Sequence, residues 1–89
     1  MVKFRNRNMT QPRNIVGPHV RRLRVAQSLS QAELAVRCQR SGWDISRETL
    51  AKIESQIRWV ADFEVVNLAK ILRVDEPSLL HGTRHPPKT

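Results

Sequence analysis

Two well-marked helix starts in close succession constrain this chain more than any other feature. Ser30-Gln31-Ala32-Glu33 is a complete capping box: the serine hydroxyl can serve the N–H three residues on, and the glutamate can reach back to the serine N–H. Leu29 and Leu34 stand where a hydrophobic staple would close around it. Ser46 repeats the signal as a cap, with Ile45 and Leu50 as its staple. Two helices are therefore expected, one from Ser30 to about Arg40 that stops before the turn residues Ser41-Gly42, the other from Ser46 to about Ser55.

Punctuation elsewhere is also helical. Gly17-Pro18 suits a cap and first helical position, and Val20 with Leu23 gives a core-facing pair in a helix ending near Gln27. Asp62 is the expected cap of a fourth helix, whose Val65, Val66, Leu68, Ala69 and Leu72 should fill the core. Asp75-Glu76-Pro77 opens a short fifth helix carrying Leu79 and Leu80, with Gly82 as its stop. Nothing reads convincingly as a strand, so the fold class is all-α with five helices. At 89 residues the chain has room for one domain with one small core. The expected organisation is a flexible basic arm over 1–14, a folded unit over 15–82 and a disordered tail over 83–89.

Charge narrows the choice of partner. Lys and Arg number 16 against 8 Asp and Glu, and no acidic residue precedes Glu33. A field of that sign favours a polyanion and makes its binding fall steeply with salt. No apolar run approaches the ~20 residues that span a bilayer, and the basic N-terminus lacks the apolar stretch of a secretory signal. The cytoplasm is the expected compartment, consistent with the single Cys38, which cannot form an intrachain disulfide.

The helix starting at Ser46 separates into two faces at 100° per residue. Leu50 and Ile53 point one way, whereas Arg47, Glu48, Ala51 and Lys52 cover the opposite arc. Arg and Lys can donate to guanine edges, a carboxylate can accept from cytosine, and the small Ala51 lets the backbone come close to a surface. Thr49 and Gln31 are placed to reach phosphates. An ordinary solvated helix face carries the same residue types, so the context of two capped helices in succession is what favours a groove reader.

The runs Leu29-Ser30-Gln31-Ala32-Glu33-Leu34-Ala35 and Ile45-Ser46-Arg47-Glu48-Thr49-Leu50-Ala51-Lys52-Ile53-Glu54, with Leu68-Ala69-Lys70-Ile71-Leu72-Arg73-Val74 further on, resemble the phage Cro and repressor-like (Xre-type) helix-turn-helix family. The resemblance covers about Gly17 to Leu80. It implies a five-helix, lambda-repressor-like bundle in which the helix after Ser46 reads the major groove of double-stranded DNA. It also implies that Arg47, Glu48 and Lys52 face bases, and that Gln31, Thr49 and Arg58 face phosphates. Arg24 is then the partner of Glu54, which anchors the recognition helix and does not contact DNA.

One stretch departs from the family. Gln39-Arg40-Ser41-Gly42-Trp43-Asp44-Ile45 makes a connection longer than the ~3–4 residues usual for the motif. Trp43 in it reads as an anchor at the core edge, with a DNA or partner contact as the alternative. Trp59 and Phe63 read as core or dimer packing, since two Trp and two Phe are too few for a base-stacking platform.

Enzyme chemistry finds no support. His19, His81 and His85 lack companions at metal-ligand spacing, no Gly-rich phosphate loop is present, and Cys38 falls on an apolar helix face, so neither metal nor cofactor is expected. The reading is a transcriptional regulator, a repressor before an activator, binding as a homodimer to an inverted repeat with half-sites about 34 Å apart. Helix five and the Trp59 loop would form the dimer surface. The alternative is an antitoxin or a transcription adaptor, whose partner, a toxin or the transcription machinery, would cover an apolar patch of Trp59, Phe63, Leu79 and Leu80.

Overall fold

The structure is a computed structural model that describes residues 11–82. The first helix, α1 (Gly17–Ala26), begins without a capping side chain at Val16; instead Asn14 Oδ1 accepts the Gly17 N–H at 2.8 Å, and Pro18 has no N–H to satisfy. Gly17 thus lies inside the helix, one position later than the cap expected of it. α1 buries Gly17, Val20 and Arg24, and closes where Ser28 turns left-handed (φ 60°) so that the Leu29 N–H returns to the Arg24 carbonyl.

The helix starts at Ser30 and Ser46 have the geometry their side chains dictate. In α2 (Gln31–Arg40), Ser30 Oγ accepts from the Glu33 N–H at 3.0 Å while Glu33 accepts from the Ser30 N–H at 2.8 Å. In α3 (Arg47–Glu54), Ser46 Oγ accepts from the Thr49 N–H at 3.1 Å. Between them Gly42 takes φ 97°, a conformation that favours glycine, and Trp43 is half-buried against the core with its N–H on the Cys38 carbonyl. Trp43 therefore packs at the core edge and orders the long connection.

α4 (Asp62–Leu72) starts one residue earlier than its carboxylate suggested. Ala61 is the cap, and its N–H is held by Glu64 at 3.0 Å, so the reaching half of a capping box works without a hydroxyl, and Asp62 is the first helical residue. Val65, Leu68, Ala69 and Leu72 are buried, but Val66 is exposed, because it sits 100° around the helix from Val65. α5 (Glu76–Leu80) is capped by Asp75, whose carboxylate accepts from the Ser78 N–H.

α3 packs against α1 and α2, and α4 packs against α1, α2 and α5, so the helices share one core. Leu34, Leu50, Ile53, Leu68, Leu72 and Leu79 are fully buried in it. Each such side chain contributes about 1.5–3 kcal/mol relative to exposure. Leu79 is thus core and no part of an outer patch, whereas Trp59 (69%) and Phe63 (65%) are exposed and contribute nothing to the core. Among the described residues there is no strand, and no helix is long and apolar enough to cross a membrane.

Arg13 and Asn14, assigned by composition to the arm, are bonded to the folded unit. The Arg13 N–H donates to the Gln56 carbonyl, and Asn14 Nδ2 donates to the carbonyls of Ile53 (3.1 Å) and Arg58 (2.8 Å). Residues 1–10 of the expected basic arm and the expected tail over 83–89 lie outside the described residues.

Candidate nucleic-acid interface

α3 is held from behind by a buried polar network. The Arg24 guanidinium from α1 donates to both oxygens of Glu54, Nε at 2.7 Å and Nη2 at 3.0 Å, and its remaining reach goes to the Leu29 carbonyl at 2.7 Å. Gln31, in the first turn of α2, adds a third donor to Glu54 at 3.0 Å. One carboxylate at the end of α3 thus ties together the first three helices. The hydrogen bonds that Arg24 donates to Glu54 raise the Arg24 pKa above its ordinary value, against the opposing effect of burial. A buried charge is tolerated only when paired and hydrogen-bonded in this way.

The end of α3 is clamped a second time. Besides its two carbonyl partners, Asn14 accepts through its own carbonyl from Gln56 Nε2 at 2.9 Å. Gly17 belongs to the same junction: a Cβ placed there would lie 2.2 Å from the Ile53 carbonyl oxygen, so only glycine lets α1 start so close to the end of α3. Sequence reading missed this clamp. An Asn three residues before Gly17 was its one local signal.

Against this fixed rear, Arg47, Glu48 and Lys52 stand exposed on the outer face of α3, with Ala51 and Thr49 half-buried beside them. None of these three charged side chains forms an ion pair among the described residues. Their hydrogen-bonding capacity is therefore available to a ligand. The other residues picked out by the sequence are already engaged. Thr49 Oγ1 lies 3.0 Å from Ser46 Oγ in the helix cap, and Gln31 is turned toward Glu54.

Arg58 sits in the loop after α3 but donates to both oxygens of Glu64 at 3.0 and 3.2 Å, and to the Trp59 carbonyl. Those contacts hold the Glu64 carboxyl below its usual range. The Arg13 guanidinium lies 6.0 Å from the Trp59 ring centre, at the outer limit of a cation–π contact. Cys38, by contrast, is buried in the apolar core, which pushes its thiol up to about 11 and makes it unreactive near neutrality. Among the described residues no group of three or more His, Cys, Asp or Glu could hold a metal ion.

Two capped helices joined by a turn, with the second packed on the first and its charged face outward, define a helix-turn-helix domain. Residues 20–79 match the helix-turn-helix family model, and the chain belongs to that family, in its Xre-type branch of DNA-binding transcription regulators. Among solved structures it is similar to the restriction-modification controller protein C.AhdI from Aeromonas hydrophila, at 31% identity and a TM-score of 0.61 over 72% of this chain and 86% of that one. No curated protein matches the chain.

Proposed function

We propose that the chain represses transcription by binding an inverted-repeat operator as a homodimer, α3 entering the major groove of each half-site. The observation that carries this reading is the unpaired, exposed face of Arg47, Glu48 and Lys52 on a helix whose opposite side is locked by Arg24, Gln31 and Asn14. Rigidity behind and free donors in front suit direct base readout, since discrimination requires side chains held in register with base edges. Thr49 and Gln31 lie beside that face and would meet phosphates, Gln31 through its backbone or by releasing Glu54. Arg58 would meet a phosphate while Glu64 holds its guanidinium in place.

Trp59 and Phe63, with exposed Ile57 and Ile15, supply the apolar area a dimer would cover. The likeness to a restriction-modification controller protein supports a regulatory task. Selection of bound duplexes from a random pool, at near-physiological salt, tests the reading. Enrichment of an inverted repeat is expected. Recovery of no preferred sequence would leave the electrostatic attraction alone, and the Trp59 and Phe63 surface would then be assigned to a toxin or an adaptor's protein partner.

A further inference from the structure

A second cationic surface lies away from α3. Arg37 and Arg40 in the last turn of α2, and Lys70 and Arg73 at the end of α4, line a groove of about 500 Å³ with Ser41, over a floor formed by half-buried Ile71. All four cations are exposed, and none takes part in an ion pair among the described residues. Glu33 feels the charge of Arg37 but is committed to the capping box.

Basic residues at helix C-termini ordinarily complement the helix dipole or cap the last carbonyls. Here the carbonyls have other partners. Those of Arg37, Cys38 and Gln39 accept from the backbone of Ser41, Gly42 and Trp43, and those of Ala69, Lys70 and Leu72 accept from Val74, Arg73 and the Gln27 side chain. One cation per helix would serve the dipole, yet two helices bring four together, at the cost of mutual repulsion. Arg73 moreover occupies a left-handed position (φ 61°) where glycine would be less strained.

We propose that this groove docks an acidic segment of a protein partner, one that carries carboxylates interspersed with aliphatic side chains. Charge complementarity sets the sign of the occupant. The apolar floor sets its class: Ile71 lies at the base, and outside the groove lining an exposed valine stands one turn before Arg40 on α2 (Val36) and one turn before Lys70 on α4 (Val66). A phosphate backbone has little to lay on aliphatic carbon, whereas a peptide of glutamate and leucine satisfies both surfaces. The groove is also remote from the DNA-facing end of α2. Arg37 and Arg40 lie about 9 and 14 Å along that helix from Gln31, toward its opposite end.

The test is fluorescence anisotropy with a short labelled peptide rich in glutamate and leucine, and in parallel with a random-sequence DNA duplex. Three full-length variants are compared with the wild type: Arg37→Glu/Lys70→Glu in the groove, the milder Arg37→Gln/Lys70→Gln in case reversal disturbs folding, and Arg47→Glu/Lys52→Glu on α3. The groove variants are expected to bind the peptide about tenfold more weakly and the duplex within about twofold of wild type, while the α3 variant shows the converse. Loss of duplex binding in the groove variants would overturn the proposal by making the groove a DNA contact. Peptide binding that the α3 variant abolishes, or that no groove variant alters, would overturn it equally. The result is independent of whether an operator is found.

Discussion

Arg24 and Glu54, thirty residues apart, meet as a two-pronged ion pair with side chains only 10% and 4% exposed. Removing one partner strands the other charge in the core. Glu54→Ala is expected to lose about 3–5 kcal/mol in urea unfolding, with Arg24→Leu/Glu54→Leu losing less than either single change. A Glu54→Ala variant within about 1 kcal/mol of wild type would show that the pair does not anchor α3.

At the other end of the same contact, Gly17→Ala sets two effects against each other. Alanine favours a helix interior by about 1 kcal/mol over glycine. Its Cβ, however, would lie 2.2 Å from the Ile53 carbonyl oxygen and 2.9 Å from that of Glu54, both backbone atoms that cannot rotate away. Overpacking wins, and the substitution is expected to destabilise by about 1–3 kcal/mol and to lower the melting temperature. A stabilised variant would mean that α1 slides freely on α3.

How much of this architecture is legible in the sequence follows from the range of the interactions. Ser30, Glu33 and Ser46 announce their helices because a cap is a contact across three residues, and all three bonds form. Ala61 hides the start of α4 because only the glutamate half of its box is present. Asn14 reaches partners 39 and 44 residues away, which no local pattern encodes. The Arg24–Glu54 pair is legible through the family resemblance and not through spacing. Of the two placements that the aromatic mass of Trp59 and Phe63 suggests, core or dimer packing, their exposure excludes the core.

Acid should weaken the molecule through two carboxylates. Arg58 holds the Glu64 carboxyl below its ordinary 4.5, and the Ser30 backbone and hydroxyl do the same for Glu33. A carboxyl depressed in the folded state adds stability at pH values above about 4.5, and that contribution disappears as pH falls through the folded value. Urea midpoints measured from pH 7 down to pH 3 should therefore decline most steeply below about pH 4.5. Glu64→Gln should flatten part of that decline; an unchanged profile would show that the Arg58 contact is not populated in solution.

Cys38 offers a probe of opening. Burial pushes its thiol up to about 11, so a thiol reagent at pH 8 should label the native protein at the rate at which the core opens and not at the rate of a free cysteine. Labelling as fast as a model thiol would contradict the packing of α2.

On the proposed function, Arg47 would read bases and Arg58 would hold the backbone. Arg47 is exposed and unpaired on α3, so Arg47→Ala is expected to leave stability unchanged while costing about 1–3 kcal/mol of operator affinity and relaxing preference at one base position. Arg58 is bonded to Glu64 and to the Trp59 carbonyl, so Arg58→Ala should lower stability as well as affinity and weaken all duplex sequences alike. Duplex selection and thermal unfolding on both variants distinguish the two roles. If Arg47→Ala selects the same sequences as wild type, Arg47 touches backbone and not base, and readout passes to Glu48 and Lys52. If Arg58→Ala changes the preferred sequence, the loop after α3 takes part in reading and α3 is not the sole source of specificity.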